Sequence, residues 1–182
     1  MSGSILETPR LILRPPRPED FDPWAENMAD ESASRYIGGP QVRAVAWRGF
    51  CTVAGAWAMF GEGMFSVIEK ASGRWIGRIG PWRPEGWPGP EVGWALVKDA
   101  WGQGFGAEAA SAAMDYAFDV LGWTEAIHCI DPLNLPSQRL AARLGSVKLR
   151  EGLMAPPYDD KPVQIWGQTG EAWRARDRAA AG

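Results

Sequence analysis

The chain is poor in the residues that build metal centres and covalent nucleophiles. Its 182 residues include two cysteines, Cys51 and Cys129, and one histidine, His128. This set is too small for an ordinary zinc site or a disulfide framework, so both are excluded. His128 and Cys129 are neighbours on a predicted strand, where consecutive side chains point to opposite faces. We therefore expect His128 to be structural, and we expect neither a bound metal nor a Cys–His nucleophile.

Long apolar runs and an excess of basic charge are also absent. No segment approaches the ~20 apolar residues of a membrane span, and the N-terminus has no basic stretch that leads into an apolar one. We therefore expect a cytoplasmic protein without a membrane partner. The formal net charge of −3 does not favour nucleic acid as a partner. The length suits one domain over residues 1–182, with its core at about residues 8–170.

The most informative stretch covers residues 91–121. It begins with an apolar run at residues 92–97, which suits a buried strand. Three glycines follow at alternate positions, Gly102, Gly104 and Gly106. The segment after them lacks glycine and proline up to residue 121, and its apolar residues recur at helical spacing. The pattern predicts a strand, a glycine-rich turn and a helix.

Such a turn favours an anionic ligand. Glycines allow a close approach of the backbone, and the first N–H groups of a helix lack intrahelical partners, so a phosphate or pyrophosphate fits there. No Lys-Ser or Lys-Thr pair follows the glycines, which excludes a Walker-type loop. Gly102-x-Gly104-x-x-Ala107 fits a dinucleotide fingerprint loosely, but residues 98–101 separate the strand from the first glycine, and too few residues follow for a doubly wound domain. A glycine turn without a ligand is the simplest alternative.

The rest of the chain alternates between short strands and helices. Strands are predicted at residues 10–14, 64–69, 75–80, 126–130, 147–153 and 163–168, and helices at residues 18–28, 42–60 and 136–145. We find no internal repeat and no linker. This order predicts a single α+β domain.

Five short motifs lie at residues 7–14 (ETPRLILR), 91–94 (EVGW), 101–109 (WGQGFGAEA), 134–137 (NLPS) with 143–145 (RLG), and 169–173 (TGEAW). They resemble those of the GNAT acyltransferases, and within them the RimJ/RimL-like ribosomal-protein N-terminal acetyltransferases. The wider superfamily often has Arg or Gln at the position of Trp101, whereas tryptophan is common in this subgroup. The resemblance implies the GNAT fold, a mixed and mostly antiparallel sheet with helices on both faces. It also implies that the sheet splays open between its fourth and fifth strands.

The resemblance implies acetyl-CoA as the co-substrate, with its pyrophosphate on the glycine turn. The residues expected at the pyrophosphate are Gly102, Gln103, Gly104, Phe105, Gly106 and Ala107. The pantetheine arm is expected to pair like an extra strand with Leu96 and Val97, where backbone N–H groups also polarise the thioester carbonyl. Asn134 is expected to bind the cofactor or a water. Arg143 and its neighbour Arg139 are expected to reach the ribose phosphate, with a solvated helix face as the equal alternative.

Transfer of an acetyl group to an amine needs a neutral amine, and amines have ordinary pKa values of ~10.4 (lysine type) or ~7.7–8.0 (α-amino). A base is therefore useful, and Glu91 is the candidate, with a structural carboxylate at the strand edge as its alternative. Many relatives protonate the departing thiolate with a tyrosine, but none lies between Tyr116 and Tyr158. Ser137 resembles the subgroup's serine in that role, and a helix-capping serine is the alternative.

The acceptor is expected beside Glu91, at Tyr36, Trp82, Trp87 and Tyr158. Aromatic walls with the acidic residues that follow Tyr158 suit a cationic amine, either a protein N-terminus or a small molecule. We predict an acetyl-CoA-dependent N-acetyltransferase that acts by direct attack. The alternatives are a GNAT-fold sensor or structural protein that binds acyl-CoA without turnover, and an NAD-dependent oxidoreductase. The eleven tryptophans are also compatible with a homodimer.

Overall fold

The backbone is organised by one mixed sheet, seen in a computed structural model that describes residues 4–156 and 160–180. Its strands are β1 (Leu6–Glu7), β2 (Leu11–Arg14), β3 (Phe65–Glu69), β4 (Trp75–Trp82), β5 (Glu91–Leu96), β6 (Glu125–Ile130), β7 (Val147–Leu153) and β8 (Pro162–Thr169). Their order across the sheet is β1-β2-β3-β4-β5-β6-β8-β7. Neighbouring strands are antiparallel, apart from the parallel pair β5 and β6.

Helices cover both faces of the sheet. They are α1 (Phe21–Ala29), α2 (Glu31–Ser34), α3 (Arg43–Phe60), α4 (Phe105–Asp115), α5 (Leu135–Arg143) and α6 (Gly170–Ala180). Buried side chains of α4 pack with β2 to β5 in one core, and those of α1 and α3 pack with Trp75 in a second. Within the described ranges, no helix is long and apolar enough to span a bilayer.

The predicted fold class is confirmed, and most of the predicted strands and helices are present. The structure adds the two-residue strand β1 and the short helix α2, which the sequence did not predict. Because of β1, the strands predicted as the fourth and fifth are numbered β5 and β6. The predicted second helix is continuous as α3, although it contains Gly49 and Gly55. Its buried residues Ala46, Phe50 and Val53 pack against α1, and this tertiary packing outweighs the low helix propensity of glycine.

The parallel strands β5 and β6 diverge soon after they begin. Among the described residues, one pair of the two strands is in register, Glu91 with Ile127, and Ile127 N–H donates to Pro90 at 2.8 Å. One residue further along, the Val92 carbonyl receives its hydrogen bond from the His128 ring, with Nδ1 at 2.7 Å. The sheet is therefore splayed between these strands, as predicted.

His128 links the two strands where their backbones have parted. Burial lowers the pKa of His128 to about 4, so the ring is neutral at physiological pH. A neutral ring that donates from Nδ1 to Val92 accepts at Nε2, where the Ser146 hydroxyl lies 3.0 Å away. This is the structural role expected for the histidine.

A buried ion pair holds the segment that leads into α1. Arg14 binds Asp20 through two hydrogen bonds of 2.7 and 2.8 Å, and the Ser66 hydroxyl donates to the same carboxylate at 2.7 Å. Burial alone would raise the pKa of Asp20, but the bonds from Arg14, Arg17 and Ser66 hold it below its ordinary value. The pair thereby joins β2 and β3 to the start of α1.

We expect Asp20→Ala to lower the free energy of unfolding at pH 7 by about 3–5 kcal/mol, because it leaves Arg14 buried without a partner. The folded-state pKa of Asp20 is lowered, so its contribution is present at neutral pH and lost as the pH falls through that pKa. Urea unfolding measures the change. Asp22→Ala, which removes the exposed pair with Arg43, serves as the control and should cost no more than about 1 kcal/mol. Equal losses in both variants would contradict the prediction.

Candidate active site

The turn before α4 exposes backbone donors. Gly102 and Gly104 have φ angles of +73° and +82°, in the left-handed region that glycine adopts without strain. The backbone bond from Glu108 N–H to the Gly104 carbonyl, 3.1 Å long, closes the first helical turn. The N–H groups of residues 105–107 therefore have no intrahelical acceptor. Together with the helix dipole they fit the anion site predicted from the sequence.

A cleft of about 480 Å³ lies beside this end of α4. The polar and small residues that line it are Arg10, Gln103, Gly104, Ala107, Glu108, Ser111 and Arg143. Arg143 of α5 thus reaches the glycine turn, which brings together two segments predicted to bind the cofactor. Arg139 lies one turn earlier on α5 and is exposed.

Arg10 is the residue of this cleft that the sequence analysis missed. Its guanidinium donates to Glu108 at 2.6 Å and to the Gln103 carbonyl at 2.9 Å, and it lies 4.4 Å from the centre of the Phe105 ring. The Thr8 hydroxyl donates to Glu108 at 2.6 Å. Burial would raise the pKa of Glu108, but the bonds from Thr8 and Arg10 hold it below its ordinary value. Arg10 therefore offsets a negative charge that would repel an anion at the helix end.

The second half of β5 offers a free backbone edge. Residues alternate along a strand, so the N–H and C=O groups of Trp94 and Leu96 point to the same side as the Val92 carbonyl, towards β6. In the part of the chain that the structure describes, β6 does not pair with them. The Leu96 carbonyl accepts from the Trp101 indole at 3.0 Å, so the open groups of this edge are the Trp94 N–H, the Trp94 carbonyl and the Leu96 N–H. This edge fits an extended ligand that pairs like a strand, as predicted for Leu96.

The predicted pairing with Val97 is wrong. Its N–H donates to the Ile76 carbonyl at 3.0 Å, and its own carbonyl accepts from Ala100 at 3.1 Å. The chain leaves the strand at this residue and enters a 3₁₀ turn, Lys98–Ala100. Trp94 takes the place of Val97 as the second residue of the free edge.

Glu91 is buried in the gap between β5 and β6, with 7% of its surface exposed. Its carboxyl oxygens accept from the Cys129 N–H at 3.0 Å and from the Trp87 indole at 2.5 Å. Burial raises the pKa of Glu91 to about 7, and the two hydrogen bonds limit the rise. A carboxyl with this pKa is poised to accept a proton near neutral pH. The same bonds connect β5, β6 and the preceding loop, so the structural alternative for Glu91 is also present.

The Cys129 thiol beside Glu91 is a poor nucleophile. Burial, and next the nearby Glu91, raise the pKa of the Cys129 thiol well above its ordinary value, so the thiolate is not formed at neutral pH. Among residues 4–156 and 160–180, no group of three or more His, Cys, Asp and Glu side chains is placed to hold a metal ion.

Two of the predicted acceptor residues lie next to Glu91. Trp82 of β4 pairs with Glu91 of β5, so their side chains share one face of the sheet. Trp87 contacts Glu91 through its indole hydrogen bond. Tyr36 is half-buried in the turn after α2, and its role stays a prediction. Tyr158 lies outside the described residues.

Ser137 faces β5 rather than the end of its own helix. The N-cap of α5 is Asn134, whose side-chain oxygen accepts from the Ser137 N–H at 3.2 Å. The Ser137 hydroxyl instead accepts from the Trp94 indole at 3.1 Å. The capping alternative for Ser137 is therefore wrong. Asn134 caps the helix. Its contact with a cofactor or a water stays a prediction, and its side-chain amide group is the group that would make this contact.

The sequence and the fold both match known acetyltransferases. A family model described as the acetyltransferase (GNAT) domain matches residues 10–147. The chain is 30% identical over 152 residues to p20, an uncharacterized N-acetyltransferase of Bacillus licheniformis, covering 82% of this chain and 84% of p20. The acetyltransferase of Agrobacterium tumefaciens str. C58 has a TM-score of 0.80 and 32% identity, covering 92% of this chain and 95% of that one. Mycobacterium smegmatis RimJ in complex with CoA-disulfide has a TM-score of 0.70 and 18% identity, covering 98% and 94%.

The splayed sheet and these matches define an acyltransferase. The chain belongs to the GNAT acetyltransferase family, and its fold is shared with RimJ. The oxidoreductase alternative is overturned, because a dinucleotide-binding domain needs a doubly wound parallel sheet and this sheet is mostly antiparallel.

Calorimetry with CoA tests the anion site at α4. We expect Gly104→Trp to weaken CoA binding at least 100-fold, because Gly104 has a left-handed φ and a Cβ there would already lie 3.3 Å from the Arg10 guanidinium. Gly122→Trp places the same side chain at another left-handed glycine with open space around it. This control should bind CoA like the wild type. A similar loss in both variants would mean that the backbone strain, and not the site, is responsible.

Proposed function

We propose that the protein is an acetyl-CoA-dependent N-acetyltransferase that moves an acetyl group to a primary amine by direct attack. The observation that carries the proposal is the buried Glu91 carboxyl, whose pKa of about 7 suits a general base, at the point where the strands split. The anion site on α4 and the free edge of β5 lie along the same opening. A base, an anion site and a strand-like edge together suit transfer from a CoA thioester.

The residues present fit acetyl-CoA. The N–H groups of residues 105–107, with Arg143 and Arg10 beside them, would hold the pyrophosphate and the ribose phosphate. The backbone edge at Trp94 and Leu96 would hold the pantetheine arm. When bound, acetyl-CoA supplies an acetyl group activated as a thioester.

Three groups of this chain divide the chemistry. Glu91 takes the proton that the amine nitrogen must lose as its lone pair forms the new C–N bond to the acetyl carbon. Backbone N–H groups of the β5 edge stabilise the negative charge that develops on the acetyl oxygen. The Ser137 hydroxyl donates a proton to the sulfur as the C–S bond breaks, and both groups return to their starting states by exchange with water.

The acceptor is a nitrogen nucleophile in this proposal. The name of p20, an N-acetyltransferase, and the shared fold with RimJ support it. Trp82 and Trp87 beside Glu91 suit an amine, either at a protein N-terminus or on a small molecule. The homodimer expected from the sequence stays a prediction.

The pH dependence of kcat/KM tests Glu91 as the base, with an alkylamine acceptor whose own pKa is ~10.4. Both the amine and Glu91 must lose a proton, so log kcat/KM should rise with a slope of 2 below pH 7 and a slope of 1 above it. Glu91→Gln should lower kcat/KM by about 10²–10⁴-fold and give a slope of 1 throughout. Steady-state rates at saturating acetyl-CoA provide the measurement.

Trp87→Phe is the matched variant for this experiment. It removes the indole donor that stabilises the ionised carboxylate and leaves an aromatic ring, so the change of slope should move to higher pH. If Glu91→Gln keeps the wild-type profile, Glu91 is not the base. If acetyl-CoA binds and no amine is acetylated, the protein is the acyl-CoA-binding sensor.

A double-mutant cycle tests Ser137 as the acid and Trp94 as the residue that positions it. The Trp94 indole donates to Ser137 Oγ, which leaves the hydroxyl hydrogen free to point at the sulfur. We expect kcat to fall about 100-fold in Ser137→Ala and about 10-fold in Trp94→Phe, as loss of one hydrogen bond to a catalytic group implies. The double variant should be no slower than Ser137→Ala. Additive losses would show that the two residues act separately.

A further inference from the structure

Two glycines lie side by side on the face of the sheet that carries Glu91. Gly80 of β4 pairs with Gly93 of β5, and Gly93 follows Glu91 by two residues, so the three share one face. The missing side chains leave a depression in the sheet beside the Glu91 carboxyl. A Cβ on Gly80 would lie 2.9 Å from the Phe65 ring and 3.3 Å from the Gly63 carbonyl oxygen. The start of β3 and the residues before it therefore pack directly against Gly80.

Met64 fills the space above Gly93. A Cβ on Gly93 would lie 2.8 Å from Met64 Cε and 3.4 Å from Glu91 Oε1. The Met64 methyl group and the Glu91 carboxyl group therefore lie on either side of the space above Gly93. Met64 is half-buried, so part of its side chain is open to a molecule that approaches Glu91 over this face.

The backbone of Met64 is held in place, and its side chain packs on the second core cluster. The Met64 carbonyl accepts from the Trp57 indole at 2.9 Å. Methionine has three rotatable side-chain bonds and adapts to the shape of its neighbours. Ile37 and Trp82 pack on the same apolar cluster as Met64, so the wall around it is apolar.

We propose that Met64 sets the size limit for the acceptor. The inference rests on the proposed function, in which the amine nitrogen gives its proton to Glu91. An amine in that position brings its first carbons over Gly93, where the Met64 methyl group lies. A slender group fits beside the Met64 methyl group, whereas a bulky one meets it. The acceptor class is therefore a primary amine carried on a slender, apolar carbon chain.

Selectivity between acceptors of different size tests the proposal. The pair n-propylamine and benzylamine compares a slender and a bulky primary amine. The wild type should prefer n-propylamine by at least 10-fold in kcat/KM. Met64→Ala should reduce this preference at least 10-fold, mainly by a faster reaction of benzylamine, since the space that one or more methylenes fill changes selectivity by about 10–200-fold.

Two matched variants control for other effects of the substitution. Met64→Leu keeps the side-chain volume and should keep the preference for n-propylamine. Met59→Ala makes the same change at a methionine of α3 that is 77% exposed, and it should not alter the preference. An unchanged preference in Met64→Ala, with wild-type rates for n-propylamine, would overturn the proposal and leave the transferase function intact.

A binding measurement separates this inference from the proposed function. In protein labelled with ¹³C at the methionine methyl groups, the Met64 signal is identified by its loss in Met64→Leu. Titration with n-propylamine should shift this signal and leave the Met59 signal unchanged. A shift without any acetyl transfer would support the Met64 contact and contradict the transferase function. No shift at concentrations that saturate the rate, or up to 0.1 M in the absence of turnover, would overturn the contact.

Discussion

The separation of β5 from β6 is the constraint on which the site depends. Two parallel strands that part after one registered pair leave backbone groups in the middle of a sheet without their usual partners. Buried groups of this kind must be satisfied in another way. His128 donates to the Val92 carbonyl, the Glu91 carboxylate accepts from the Cys129 N–H, and the Trp101 indole donates to the Leu96 carbonyl. The backbone groups of Trp94 and the Leu96 N–H are not paired with β6. The opening, the base and the binding edge are therefore three consequences of one break in the sheet.

Two glutamates show how surroundings divide the roles of identical side chains. Burial favours a raised pKa for both Glu91 and Glu108, but only the pKa of Glu91 is raised in the fold. Glu108 also receives hydrogen bonds from Thr8 and Arg10, including a charged partner, and stays ionised. Within the described residues, the groups bonded to Glu91 belong to Trp87 and Cys129 and are neutral, so its pKa stays near neutrality. Glu108 therefore supports the fold of the turn, whereas Glu91 is able to exchange a proton.

Local patterns predicted the parts of the site that lie within one segment. The strand, the glycine turn and the helix of residues 91–121 follow from apolar spacing and glycine positions, and Glu91 was predicted as the base because it begins that strand. Arg10 and Met64 were missed because their contacts join residues far apart in the sequence, such as Arg10 and Glu108. The Val97 prediction failed because the strand ends one residue earlier than the apolar run. Asn134, and not Ser137, caps α5. Both residue types cap helices, so the sequence does not decide between them.

The contact between Arg10 and Glu108 also bears on how the site is assembled during folding. It closes a loop of 98 residues, and contacts of such long range form late because the chain entropy of the loop must be lost first. The glycine turn itself is local and forms early, but it then carries an uncompensated negative charge. Without Arg10 in place, the turn would keep the shape of the anion site and carry the uncompensated charge of Glu108. Competence to bind a negatively charged ligand is therefore a property of the whole domain and not of the glycine turn alone.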